Sequence, residues 1–174
     1  MPLITQCVCG GVNFTEGEHN HIPIAVCSQC GVIHQRLLLT PKQYREYYEQ
    51  EYHTSVRQYR RNIRFPAEYF TFITLHDVLE HLVNPLLYLK EIHRILIDQG
   101  TVIIDFPNFF VEEGQHHWKR VEHLWYFTIQ QLNDLVTSNG FEIVEETSPI
   151  LSKILLVLKK ASAHVENGKP QFLQ

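Results

Sequence analysis

Residues 69–108 read YFTFITLHDVLEHLVNPLLYLKEIHRILIDQGTVIIDFPN, and this stretch constrains the fold more than any other. A β-rich run over 70–75 ends at His76-Asp77. Asn84-Pro85 then opens a helix: asparagine caps it, and proline takes the first turn, where no intrahelical N–H bond is lost. Leu86, Leu89, Ile92 and Leu96, flanked by Tyr88 and Ile95, recur at helical spacing and predict a buried stripe, with Lys90, Glu91 and Arg94 facing water. Asp98-Gln99-Gly100 predicts the helix stop, with Gly100 in the left-handed cap conformation. A second run over 101–106 is apolar and β-branched, as a buried parallel strand would be, and closes at Pro107-Asn108. Strand, helix and strand in this order join two parallel strands by a right-handed crossover. Ligands of open parallel sheets sit beyond the carboxyl ends of the strands, so His76-Asp77 and Pro107-Asn108 mark the expected site. Asp77 has a second reading, as the cap of a short helix over 78–82.

Downstream, Thr128 and Gln131 have the spacing of a capping box, opening a helix with the stripe Ile129, Leu132, Leu135 and Val136 and ended by Gly140. Runs over 141–146 and 151–159 predict an antiparallel pair about Ser148-Pro149. The loop over 109–120 carries Glu112, Glu113, His116, His117 and Trp118. His116 and His117 with Glu122 and His123 match no standard ligand spacing and read as a polar surface loop. Upstream, Thr40-Pro41-Lys42-Gln43 is a helix start, with the helix reaching about residue 52 and Tyr44, Tyr47, Tyr48 and Tyr52 as a packing stripe. A further helix over 55–64 would set Arg57, Arg60, Arg61 and Arg64 on one solvated face.

All four cysteines precede residue 31, as Cys7-Val8-Cys9-Gly10 and Cys27-Ser28-Gln29-Cys30-Gly31. Residues 1–5 lack the charged start and apolar core of a secretory signal, and the longest apolar run, near 154–158, is strand-sized. A cytoplasmic chain follows, and there thiols stay reduced, so two disulfides are not expected. Four thiolates on two tight turns suit a tetrahedral zinc ion, and a glycine after each pair lets the backbone fold round the metal. Cys7, Cys9, Cys27 and Cys30 are the candidate ligands of a zinc ribbon, with strands over 12–15, 24–26 and 32–39. The first pair is C-x-C rather than C-x-x-C, a tighter bite that His19, His21 or His34 could relieve. Coordination by four cysteines leaves no open position, so the metal would be structural. The chain's 174 residues carry a net charge of −4, which argues against a nucleic-acid partner.

The segment TLHDVLEHLVNPLLYLKEIHRIL, followed by a glycine, an apolar strand and PN, resembles the fourth strand, next helix and fifth strand of class I S-adenosylmethionine-dependent methyltransferases. EHLWYFTIQQLNDLVTSNGFEIVEE fits the continuation, so the resemblance covers roughly residues 65–160. Methyltransferases of sugar and small-molecule pathways carry an N-terminal cysteine module, and YREYYEQEYH is similar to the segment that joins it to their core. The resemblance implies an S-adenosylmethionine cofactor facing His76 and Asp77, and a small-molecule or sugar acceptor. His81 matches the histidine of the family's LEH motif, and His123 that of its H-h-x-x-F-(S/T) segment; either could serve as a base, or His81 could be structural at a helix end.

The chain departs from that family at one place. No glycine lies between Gly31 and Gly100, so the glycine-rich turn that would cradle the cofactor is absent, together with the first three strands. The expected fold is therefore α/β: a zinc ribbon over 1–39, a helical connector over 40–64, a truncated Rossmann-like sheet of strand equivalents 4-5-7-6 over 65–162, and a flexible tail over 163–174. The edge of the strand over 69–75 would lack its usual neighbour and call for self-association or a protein partner. Three functions compete: a methyltransferase impaired as a lone chain, a non-catalytic accessory subunit, and a zinc-ribbon binding module touching nucleic acid through the arginine face.

Overall fold

A computed structural model describes residues 3–36, 39–40, 42–43, 46, 65–119 and 121–161. The tyrosine stripe, the arginine face and the tail beyond residue 161 lie outside the described residues. The start of the connector is described. Thr40 N donates to Gln43 Oε1 at 2.9 Å and Gln43 N to Thr40 Oγ1 at 3.3 Å, the reciprocal capping bonds read from the sequence.

Among the described residues, two four-stranded sheets combine with α-helices in a mixed α/β fold. The first sheet contains β1 (Phe14–His19), β2 (Ile22–Cys27) and β3 (Ile33–Gln35) in antiparallel array. The hairpin between β1 and β2 is longer than expected. Asn20 and His21 both take positive φ, 47° and 61°, and turn the chain in two residues so that His19 pairs Ile22. That is the two-residue turn whose twist matches the flanking strands.

The second sheet is built on β4 (Phe70–His76) and β5 (Leu96–Pro107), which run parallel, joined by α1 (Pro85–Ile95). Asn84 caps α1, its side chain accepting from Leu87 N at 3.3 Å. Pro85, Leu89 and Ile92 are buried, whereas Tyr88 is 53% exposed and lies off the stripe. The helix stops at Ile95, earlier than read from the sequence, and Leu96 already pairs with Phe70. Residues 97–100 then bulge out before Thr101 pairs with Phe72. Gln99, not Gly100, takes the left-handed conformation, with φ 60°. Glycine serves there for space: a Cβ on Gly100 would stand 2.6 Å from Leu96 Cγ.

Two further strands, β6 (Trp125–Tyr126) and β7 (Phe141–Thr147), flank α2 (Ile129–Thr137), and β8 (Lys153–Lys160) follows. Thr128 and Gln131 cap α2 reciprocally, at 3.2 and 3.0 Å. The second sheet has the order β4-β5-β8-β7, with β8 antiparallel to both neighbours. Its buried face carries Leu75, Val102, Ile104, Phe106, Ile154, Leu156 and Leu158. β5 was expected to be buried on both faces. It alternates instead, with Thr101, Ile103 and Asp105 only half-buried. Among the described residues β4 forms one edge of this sheet, with Tyr69 58% and Phe72 51% exposed. β6 joins the first sheet, antiparallel to β3, so Ile33 pairs Tyr126 and His34 pairs Trp125. No helix among the described residues is long and apolar enough to cross a membrane.

Candidate functional site

Three groups of polar side chains come together. The first is the cysteine cluster. Cys7 Sγ lies 3.6 Å from Cys30 Sγ, and Cys9 Sγ 3.6 Å from Cys27 Sγ, with all four sulfurs within 4.8 Å of one another. A tetrahedral zinc–thiolate site with bonds of about 2.3 Å sets its sulfurs about 3.8 Å apart. The donor set therefore fits zinc, and Cys7, Cys9, Cys27 and Cys30 would hold it. Gly10 and Gly31 take φ of 89° and 71°, as the knuckle turns require. Gly10 N donates to Cys7 O and Gly31 N to Cys27 O, closing the two turns at 2.9 and 2.8 Å.

The C-x-C bite needs no histidine substitute. His34 is buried, with its Nδ1 bonded to Gln35 O at 2.9 Å; His19 packs on Trp118; His21 is exposed beside Glu18. The sulfurs also share protons unequally. Hydrogen bonding, first from Cys7, pulls Cys30 down to about 5, and burial pushes Cys9 up to about 11. Such a cluster holds one thiolate readily and wants a cation before it can hold four.

The second group sits at the carboxyl ends of the parallel pair. His76 Nδ1 is 2.5 Å from Asp105 Oδ2, and Asp77 N donates to Asp105 Oδ1 at 3.1 Å. Register brings these residues together, since His76 pairs Asp105 across β4 and β5. Lys153, entering β8, forms an ion pair with Asp77 and lies 3.7 Å from Asp105 Oδ1. Asp77 does not cap the following turn. The 3₁₀ turn Leu79–His81 has no side-chain cap, and Asp77 takes φ 47° with its carboxylate on Lys153. Asn108, the residue after β5, is bonded to the β7–β8 turn, its N donating to Ser152 O at 2.9 Å and its Nδ2 lying 3.4 Å from Leu151 O. Sequence reading missed Asp105 and Lys153. The signal for Asp105 was an acidic residue breaking an otherwise apolar strand; no local signal marks Lys153.

The third group is largely buried, with His81 at its edge. His81 and His123, which lie 42 positions apart in the chain, pack edge to face with ring centres 4.6 Å apart. His81 Nδ1 faces Glu122 O at 2.7 Å, and His123 Nδ1 faces His117 O at 2.6 Å. A carbonyl only accepts, so both Nδ1 atoms carry hydrogen and both Nε2 atoms present lone pairs. Between them lies Glu80, fully buried, which the sequence reading did not single out. His81 Nε2 and His123 Nε2 are 3.7 and 4.0 Å from Glu80 Oε1. Burial pushes the Glu80 carboxyl up to about 8 and, with the neighbouring His81, pulls His123 down to about 4. His81 is likewise lowered, mainly by burial. Backbone bonds knit the two segments: Leu124 N donates to Glu80 O and Trp125 Nε1 to Leu82 O, both at 2.7 Å. His116, His117 and Glu122 do not join this group of ligand atoms; His123 does.

No curated protein sequence matches the chain. Among solved structures, it is similar to an S-adenosylmethionine-dependent methyltransferase from Thermotoga maritima, with 20% identity and a TM-score of 0.48 over 57% of this chain and 60% of that one. An S-adenosylmethionine-dependent methyltransferase from Listeria monocytogenes gives 13% identity and a TM-score of 0.49 over 58% of this chain and 66% of that one. A complex between the Haloferax volcanii Trm112 methyltransferase activator and a methyltransferase gives 15% and 0.48, covering 58% of each chain. The chain thus spans less than two thirds of the length of each. A family model described as a methyltransferase domain matches residues 19–146. With nearly three quarters of its length under that match, the chain belongs to the methyltransferase domain family.

Proposed function

We propose that this chain is an S-adenosylmethionine-dependent methyltransferase for a small-molecule or sugar acceptor, impaired in turnover as a lone chain. The observation that carries the reading is the His76–Asp105 pair at the carboxyl ends of β4 and β5, the end of a parallel pair where such sheets hold ligands. On this reading β4-β5-β8-β7 are the equivalents of strands four, five, seven and six of a class I core. His76 and Asp77 face the cofactor, while His81 and His123 face the acceptor. His123, neutral and with a free lone pair on Nε2, can take a proton from an acceptor hydroxyl. Zinc on the four cysteines is structural and holds a module over 1–39, followed by a connector over 40–64 and the α/β unit over 65–162.

The residues present do not complete a cofactor cradle. No glycine lies between Gly31 and Gly100 to bring backbone against an adenosyl group. The strand-end side chains are engaged with one another, His76 with Asp105 and Asp77 with Lys153. No methyl-transfer step is therefore assigned to the lone chain.

That same fact, with the half-exposed Tyr69 and Phe72 at the β4 edge, favours a second reading: a non-catalytic accessory subunit whose β4 edge is covered by a second copy or another protein. Calorimetry of the zinc-loaded chain with S-adenosylmethionine separates the two. Saturable heat supports the methyltransferase; no heat from folded protein supports the accessory subunit. Light scattering with amide exchange over 70–75 tests the covered edge. Rapid exchange in a monomer counts against it.

A further inference from the structure

We infer that Glu80, His81 and His123 form a second metal site, distinct from the cysteine cluster, for a divalent first-row transition ion. Glu80 is buried on the turn just before His81. Its side chain has no exposure, and neither carboxylate oxygen has a hydrogen-bond partner on another residue. Leaving a buried carboxyl unsatisfied is costly, and such groups are rare without a reason. The two imidazoles do not satisfy it, because 3.7 and 4.0 Å are too long for a hydrogen bond. They are close to the right separation for shared coordination. Oxygen and nitrogen ligands at about 2.0–2.2 Å from one ion stand about 3–3.6 Å apart. All three ligand atoms already lie within 4.8 Å of one another, so side-chain adjustment of about 1 Å would close the site.

The orientation of the histidines is the second observation. Each imidazole gives its Nδ1 hydrogen to a backbone carbonyl, Glu122 O or His117 O, and turns its Nε2 lone pair toward Glu80. That outer bond is what metal-bound histidines almost always make, since it fixes the tautomer and aims the ring. The backbone is held as well, by Leu124 N on Glu80 O and Trp125 Nε1 on Leu82 O. Two histidines and one carboxylate leave coordination positions open, whereas four cysteines leave none. An ion here would engage the His123 lone pair, so an oxygen ligand at the open position, rather than His123, would become the acidified group.

The inference does not rest on methyl transfer: a chain that never binds S-adenosylmethionine would still bind the ion. The test uses the full chain with zinc in the cysteine site, dialysed against Co2+ and then freed of excess. One retained equivalent of cobalt is expected, with ligand-field bands and no thiolate charge-transfer band. Glu80→Gln, which keeps the side chain's shape, and His123→Ala should each weaken retention about tenfold or more while zinc content stays at one equivalent. Zinc content and circular dichroism report whether each variant is folded. If the wild-type chain retains no cobalt, or cobalt appears only with thiolate bands, the site does not exist. Equal retention by folded Glu80→Gln would equally overturn it.

Discussion

Gln35 holds His123 across 88 positions of sequence: the side-chain amide of Gln35 donates to the backbone carbonyl of His123 at 2.7 Å. The same amide donates to Lys119 O at 2.8 Å and lies 3.2 Å from the Tyr126 hydroxyl, while Oε1 accepts from Val121 N at 3.1 Å. Gln35 is the last residue of β3 and is only 4% exposed. One buried amide thereby ties the cysteine-bearing sheet to the segment that presents His123.

Gln35→Ala should consequently loosen that segment. It strips partners from the Val121 amide and from the Lys119 and His123 carbonyls. The expected loss is about 2–4 kcal/mol of unfolding free energy, from buried groups left unpaired. Urea unfolding gives the total, and amide exchange at Val121 localises it. A variant within about 0.5 kcal/mol of wild type would show that water replaces the amide without loss.

Metal removal is the next expectation. The four sulfurs anchor β1–β3 through the turns before β1 and after β2, and Gln131 Nε2 donates to Cys30 O at 3.1 Å, linking α2 to the second knuckle. Without an ion Cys7 and Cys9 keep their protons, both being raised, while Cys30 is lowered. Chelation at neutral pH should therefore take up protons and release one zinc per chain, with loss of β-structure. Cys9→Ser should bind zinc far more weakly than wild type, by competition with a chromophoric chelator. Unchanged folding after complete zinc removal would contradict a structural role.

What the sequence made legible follows from the range of each signal. The caps at Asn84 and Thr128 and the knuckle glycines were readable because they are local, whereas the strand order around β5 followed from the resemblance to the methyltransferase family. The helix end was misplaced because Asp98-Gln99-Gly100 is turn chemistry whether it ends a helix or forms a bulge inside a strand; pairing of Leu96 with Phe70 decides between them. Asp105 and Lys153 reach Asp77 only through sheet register. Glu80 was passed over because an acidic residue on a short turn ordinarily faces water. Its burial depends on the 122–125 segment folding over it, a tertiary event that no local pattern encodes.

Stability should depend on pH through Glu80 and His123, with opposite signs. In the folded chain burial raises Glu80 from its ordinary 4.5 to about 8. Between those values the folded state keeps a proton that the unfolded chain has released, so stability falls as pH rises through the window. His123 is lowered from 6.5 to about 4, so its contribution is present above 6.5 and is lost as pH falls toward 4. The two oppose one another in acid, but from pH 6.5 to 8 Glu80 is the dominant member of the pair. With zinc confined to the cysteine site, the unfolding midpoint of wild type should fall relative to that of Glu80→Gln as pH rises from 6.5 to 8. Parallel profiles for the two proteins would mean that Glu80 ionises at its ordinary value.

The turn after β5 sets a further limit on His123. Gly114 lies in the 3₁₀ turn Glu112–His117, where a Cβ would fall 1.6 Å from Asn108 O, a backbone atom that cannot swing aside. The turn is held to the chain leaving β5 by Trp118 Nε1 and Gln115 Nε2, which donate to Phe109 O at 2.9 and 3.2 Å. At its end His117 O accepts from His123 Nδ1. Gly114→Ala must push the turn away from Asn108, at a cost of about 1–3 kcal/mol or more. The displacement should weaken the His117–His123 bond and admit water to the imidazole. Burial is the main cause of the lowered His123 value, so that value should move back up toward 6.5. A nuclear magnetic resonance titration of His123 in Gly114→Ala measures this directly. An unshifted His123 in a variant that has lost stability would mean that Glu80 and His81, not the 112–117 turn, keep water from the ring.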